Sequence, residues 1–340
     1  MPLFERRNAH NITAVLLGLT FALLGRFAFA DNALAGGGGL LMLGFLVLVP
    51  IGLGAITEHF SPAKRTNSWS FIFRSWGTVL LFLVTAFIFN LEGAICLIII
   101  GPLFIVLSAV GGVLYRLLTR NRHPDDNRNT FVVAGFALLP FVAAPLESQF
   151  AAPDDFRRVQ NTILINAPAE AVWHNIIRVP AISAQDLGPS LVDKIGFPRP
   201  VEATLSFEGV GGVRHATFER GVEFIETVDV WEPRRRISFR IVPNTATIPP
   251  TTFDEHVTVG GRFFDVLRGT YELQPAGPGR TRLVLYSQQR LSTRLNPYAG
   301  LWTDFVMSEI QERILRVVAK RSEAEAAQAT SASALVSGRP

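Results

Sequence analysis

Glu226, Arg214 and His215 are the residues of this 340-residue chain whose types and spacing could carry acid–base chemistry. Along Val222 to Trp231, strand alternation puts Val222, Phe224, Glu226, Val228 and Val230 on one face and Glu223, Ile225, Thr227, Asp229 and Trp231 on the other. The first set is the more apolar, so it faces an interior and takes Glu226 with it. An interior carboxylate must either pair with a cation or be put to use as an acid or base. On Val213 to Phe218, Arg214 falls on one strand face and His215 on the other, so either is a candidate partner. The competing reading, and the favoured one, is an ion pair that shapes the interior without chemistry.

Other groups offer less. His256 lies in Phe253-Asp254-Glu255-His256-Val257, within reach of Glu255 or Asp265, but no His/Cys spacing of a known metal type is present, so the expectation is a surface-loop histidine and no metal. Gly209 to Gly212 joins strand to strand rather than strand to helix, which argues against a phosphate cradle. There is no nucleophile elbow, and no cofactor is expected. Arg26 and Glu92 would be costly at membrane depth; a proton or ion relay is one reading, and interfacial snorkelling or capping of helix ends is the preferred one. The single cysteine, Cys96, sits in an apolar run and supports neither a disulfide framework nor a thiolate site.

The elements that must position Glu226 follow from periodicity. Ala203 to Phe207, Val213 to Phe218, Val222 to Trp231, Arg236 to Val242, Phe263 to Leu273 and Thr281 to Gln288 alternate at period two, and turn formers separate most of them. Connections this short make the strands mostly antiparallel. The connection Asn244 to Gly261 is longer, and within it Ile248 and Phe253 are candidate lid residues. From Pro297 to about Arg321, Tyr298, Leu301, Trp302, Phe305, Val306, Ile310, Ile314, Val317 and Val318 recur at helical spacing. The Ala/Ser-rich stretch 322–340 lacks an apolar period and is expected to be disordered.

Ahead of these strands, Thr162 to Ile165 reads as a strand and Asn166-Ala-Pro-Ala-Glu-Ala-Val-Trp173 as an abrupt turn into a helix, with Asn166 as cap and Pro168 in the first turn. A further helical stretch near Ser183 to Ile195 is interrupted at Gly188-Pro189. The motif, with the order strand, two helices, six strands and long helix over about Val159 to Lys320, resembles the START-like or SRPBCC superfamily. That superfamily includes polyketide cyclases, the birch pollen allergen and lipid-transfer domains. The resemblance implies an α+β helix-grip domain at 159–321, a seven-stranded antiparallel sheet curled around the C-terminal helix. It also implies an apolar cavity, for which Phe224, Glu226, Val228, Phe239, Tyr271, Tyr298, Trp302 and Phe305 are the candidate lining residues.

Upstream, the chain is apolar. Spans are expected near 11–30, 40–56, 77–89, 94–118 and 130–146, after a short cytoplasmic stretch 1–10 and before a polar connector 149–158. Phe27-Ala28-Phe29-Ala30 before Asp31 resembles a signal-peptidase site, but Arg26 just inside it favours an uncleaved helix. Lys and Arg concentrate in the N-terminus, the second loop and the fourth loop, so five crossings would leave the second domain on the outer face of a bacterial-type plasma membrane. Arginines flanking apolar segments explain the +4 net charge better than nucleic-acid binding.

The expected activity is membrane-tethered binding of a hydrophobic small molecule or lipid, with the bilayer as partner and protein partners open. The alternatives are a polyketide cyclase/dehydrase-like enzyme using Glu226, or a membrane sensor or scaffold.

Overall fold

A computed structural model describes residues 2–30, 39–61, 70–123, 126–244 and 259–337. Ile248, Phe253, Glu255 and His256, together with Lys64, Arg65 and Trp69 of the second loop, lie outside the described residues. The chain divides into two compact units: Met1–Pro153 with Thr293–Leu295, and Asp154–Ser292 with Asn296–Pro340.

The first unit is helical: α1 (Pro2–Ala30), α2 (Val49–His59, entered through a π-turn at Gly44–Leu48), α3 (Ser70–Ile88), α4 (Ala94–Thr119) and α5 (Asn127–Glu147). Three of these are long and apolar enough to cross a membrane, over His10–Ala30, Ala94–Thr119 and Asn127–Glu147; Gly44–His59 and Ile72–Ile88 are shorter apolar helices. The five expected spans therefore meet five helical segments, of which three satisfy the length requirement. The second is broken by the π-turn, and its approach, Gly39–Leu41, is a separate 3-10 turn.

Glycines let α2 and α4 approach backbone to backbone: a Cβ on Gly54 would stand 1.8 Å from the Ser108 carbonyl oxygen, and one on Gly111 1.9 Å from that of Ile51. Arg26, near the end of α1, and Glu92, in the turn between α3 and α4, form an ion pair that the sequence reading did not anticipate: Arg26 Nε lies 2.5 Å from Glu92 Oε1, and the two side chains are 14% and 3% exposed. Arg26 also donates to the Leu91 carbonyl, so α1 is tied to the α3–α4 turn. Glu58 is bound in turn by Arg116 at 2.7 Å and Arg74 at 3.4 Å.

The second unit contains β1 (Asp155–Ile165), α6 (Ala169–Ile177), α7 (Ala184–Leu187), α8 (Leu191–Lys194), β2 (Pro200–Leu205), β3 (Val213–Phe218), β4 (Glu223–Glu232), β5 (Arg236–Pro243), β6 (Phe264–Pro275), β7 (Thr281–Leu291) and α9 (Asn296–Ser337). The seven strands make one antiparallel sheet in the order β1-β7-β6-β5-β4-β3-β2, so β1 closes beside the last strand. With the long C-terminal helix this is the helix-grip arrangement.

Four local expectations change. β1 starts at Asp155, so the last four residues of the expected connector are strand; Arg157, Val159, Asn161, Ile163 and Ile165 alternate inward. Pro168, not Asn166, is the N-cap of α6, because the Asn166 backbone and side-chain nitrogens donate to Glu323 of α9. α9 continues to Ser337, past the residue at which its apolar stripe stops. Alanine and glutamate sustain a helix on intrinsic propensity without an apolar face. Finally, a bulge between Val228 and Val230 adds a residue to β4 and reverses the alternation beyond it. Trp231 therefore joins the core, its ring centroid 5.1 Å from that of Trp173 in an edge-on pair.

Candidate functional site: a buried charge pair in the grip

Position by position, the sheet delivers Glu226 to Arg214. The two are direct cross-strand partners on β3 and β4, with Leu205 of β2 opposite Arg214 and Ile241 of β5 opposite Glu226. Arg214 Nη1 donates to Glu226 Oε2, and the residues are 4% and 9% exposed. The guanidinium also lies over the Phe239 ring, 5.0 Å from its centroid, and Tyr271 of β6 engages it through its hydroxyl. Arg214 Nε is buried without a hydrogen-bond partner.

The electrostatics follow from burial and pairing. Desolvation disfavours the Arg214 charge, but the Glu226 carboxylate and Tyr271 more than offset it, and the guanidinium is held above its ordinary range. Burial pushes the Tyr271 hydroxyl up, so it stays protonated and able to donate. The site is a charged pair plus a phenol, floored by an aromatic ring.

His215 takes no part in it. One residue along β3, it points to the opposite face and sets Nδ1 2.8 Å from Glu223 Oε1. Asn244 and then His215 hold the Glu223 carboxyl below its usual range. Of the cavity candidates, Val228, Phe239 and Tyr271 are core residues at 1%, 1% and 4% exposure, whereas Phe224, Tyr298 and Trp302 are half-buried and Phe305 is 37% exposed.

Exposure varies along the grip. Val228, two residues after Glu226 on the same face, is packed; Phe224, two residues before it, is half-covered. The helix repeats the pattern. Gln311, Arg313, Leu315, Val317, Val318 and Ala319 are buried, while no residue from Leu301 to Ile310 is, although Trp302, Val306 and Ile310 are apolar. The covering of α9 is therefore looser over Leu301–Ile310 than beyond it, while on the sheet Phe224 packs, half-buried, against the cluster of Ala203, Ala216 and Val317 and edge-on to Phe218.

A polar seam, absent from the sequence expectations, holds α9 to β1 and β7. Arg157 forks onto Asp304 at 3.0 and 2.5 Å, Gln289 donates to Asp304 at 2.9 Å, Asn161 donates to the Ser308 hydroxyl and Gln311 at 3.0 Å each, and Gln311 donates to Ser287 at 2.8 Å. These bonds tie α9 to one edge of the sheet, while its Leu315, Val317 and Val318 sit in the apolar clusters that include Ala203, Ala216, Val228 and Phe239. Among the described residues, no three His, Cys, Asp or Glu side chains gather as metal ligands.

Helix-grip geometry with an internal charge pair defines the class of the second unit. Comparison with known proteins adds solved structures only. Truncated norcoclaurine synthase from Thalictrum flavum is 11% identical with a TM-score of 0.32, covering 50% of this chain and 96% of that one. The Zhui aromatase/cyclase from Streptomyces sp. R1128 is 18% identical with a TM-score of 0.30, covering 51% and 95%. A protein from Thermus thermophilus is 18% identical with a TM-score of 0.32, covering 50% and 99%. No family model and no curated protein matches the chain. The helix-grip description rests on the strand order and the helix, not on these likenesses.

Proposed function

We propose that the second unit binds a hydrophobic small molecule or lipid in the grip, under the loosely covered first half of α9, with the ligand's polar group toward Arg214, Glu226 and Tyr271. The observation that carries this reading is the first half of α9, where no residue from Leu301 to Ile310 is buried although Trp302, Val306 and Ile310 are apolar. Apolar side chains left half-covered beside a buried cation suit a ligand that is mostly apolar with one hydrogen-bonding end. Binding is favoured over acid–base catalysis because the Glu226 carboxylate is paired with the Arg214 guanidinium through Oε2, which favours a fixed charge over proton exchange.

We further propose that the first unit is a five-crossing membrane anchor in a bacterial-type plasma membrane, with the second unit on its outer face. Support comes from the three long apolar helices and from α3, whose 19 residues approach the ~20 needed to span hydrocarbon. Lys and Arg segregate to alternate loops accordingly. Such a tether raises the concentration of the binding domain where apolar ligands partition.

Native mass spectrometry of the detergent-purified chain tests the binding reading. A retained lipid or apolar molecule of defined mass, lost on replacing Arg214 and Glu226 together, is the expected result; an empty chain that takes up no added lipid would sink it. An inactive C-terminal alkaline phosphatase fusion, with an active cytoplasmic reporter at the same position, would overturn the orientation.

A further inference from the structure

Beyond holding a ligand, the grip has an apolar rim, and we propose that this rim docks on a lipid surface bearing anionic headgroups. The inference rests on the membrane-anchor reading. Leu301 and Phe305 are 67% and 37% exposed one turn apart on α9, and Leu191 on α8 is 56% exposed. Ser190 donates to Glu309 Oε2 at 2.7 Å, and Glu309 stands one turn beyond Phe305. Leu191, next to Ser190 in the chain, is thus brought near the stretch of α9 that carries Leu301 and Phe305.

Charge at this rim suits headgroups. Lys194 is exposed next to Leu191, and Arg220, also exposed, donates to the Gly196 carbonyl at 3.0 Å, two residues past Lys194. Nearby acids are mostly engaged by other cations: Asp193 by Arg313 at 2.5 Å and Glu219 by Arg199 at 2.8 Å, leaving Glu309, bonded to the Ser190 hydroxyl, as the one opposing charge in this set. Lys194 and Arg220 can then lie among phosphates while the leucines and Phe305 enter the apolar boundary, the division of labour of an interfacial amphipathic surface.

The chain itself limits where the rim can be. Thr293–Leu295 belong to the helical unit: Leu295 packs against its core, and Arg294 donates to the Glu147 carbonyl at 2.8 Å, where α5 ends. Leu301 follows six residues later. Even a fully extended chain cannot carry it more than about 20 Å from Leu295.

The test uses the full chain in nanodiscs of phosphatidylcholine, with or without phosphatidylglycerol. Leu301→Cys and, separately, Val210→Cys are labelled with a polarity-sensitive fluorophore, the buried Cys96 being left in place or replaced by Ala. Val210 is 64% exposed in the β2–β3 turn and serves as the control. The expected outcome is a blue-shifted label at 301, quenched several-fold more strongly than that at 210 by spin-labelled acyl chains, with Lys194→Glu reducing the quenching only in phosphatidylglycerol discs. Equal, weak quenching at both sites overturns the proposal. So does a label at 301 shielded without lipid quenching, which would mean a protein partner or second copy covers it. Extraction of the unlabelled chain from membranes by alkaline carbonate would instead refute the anchor; retention with an aqueous label refutes only the docking.

Discussion

Arg214 and Glu226 sit opposite each other across β3 and β4, both under a tenth exposed, with buried Val228 and half-buried Phe224 on either side of Glu226 along its strand face. A buried ion pair is often replaceable by apolar residues of like volume, yet removing one partner strands the other and costs about 3–5 kcal/mol. Glu226→Gln and Arg214→Ala are therefore each expected to lower the unfolding temperature of the detergent-solubilised chain markedly. Arg214→Met with Glu226→Leu should recover most of that loss. If the pair also holds the ligand's polar end, the doubly replaced chain will be stable but will no longer retain ligand in native mass spectrometry. Stability and ligand retention recovering together would assign the pair to structure alone.

Close approach of α2 and α4 makes a second, independent expectation. Any Cβ on Gly54 or Gly111 would fall within 2 Å of a facing carbonyl oxygen, and backbone cannot swing aside as a side-chain tip can. Gly54→Ala and Gly111→Ala must force the helices apart, with an expected cost of about 1–3 kcal/mol typical of overpacking. Gly135 in α5 has nothing within 4 Å of its Cβ position. Gly135→Ala should be neutral, or stabilising by up to about 1 kcal/mol through helix propensity. Thermal unfolding followed by loss of monodisperse protein will separate the two classes; equal effects would refute the packing account.

Period-two alternation was enough to turn Glu226 inward, because it lies on an unbroken stretch before the bulge, but it left Arg214 and His215 both open as partners until the β3–β4 register paired Arg214 with it. It was not enough for Trp231, since a one-residue bulge leaves no mark in composition and reverses every side chain after it. The seam from Arg157 and Asn161 to Asp304, Ser308 and Gln311 was hidden for another reason. Polar residues facing inward from β1 look like a connector when read alone, and only their alternation with Val159 and Ile163 reveals a strand. The closely approached glycines of the helical unit carry no signal beyond their identity; their partners are set by tertiary contact.

Acid should loosen the α7 segment before the rest of the grip. The Lys320 ammonium, 2.7 Å away, and then the Ser183 hydroxyl hold the Asp186 carboxyl well down, at about 2 against an ordinary 3.8. The folded carboxylate thus resists protonation more than the unfolded one. Its contribution is fully present above 3.8 and fades as the pH falls toward 2. The pair is at the solvent boundary, so salt will weaken it. Hydrogen exchange should show amides around Ala184–Leu187 losing protection across this window, and Asp186→Asn should remove the dependence. An unchanged profile in Asp186→Asn would place the titrating group elsewhere.

The continuation of α9 past Arg321 makes contacts that a disordered tail would not. Ser322 is wholly buried, Ala326 packs against the core, Glu323 receives the Asn166 amide at 2.9 Å, and Glu325 receives Asn175 Nδ2 at 2.8 Å beside His174. These contacts clamp the β1–α6 turn, so truncation after Arg321 should destabilise the second unit. Beyond them, Thr330 and Ser331 bond only to carbonyls of their own helix, at 2.9 and 3.0 Å. Truncation after Thr330 should therefore leave the unfolding temperature nearly unchanged, because a helix end held by its own backbone adds little to tertiary stability. Comparing the two truncations with Glu323→Ala plus Glu325→Ala distinguishes the clamp from the burial of Ser322 and Ala326. If the double alanine chain unfolds like the truncation after Arg321, the carboxylates hold the turn; if it unfolds like the intact chain, burial does.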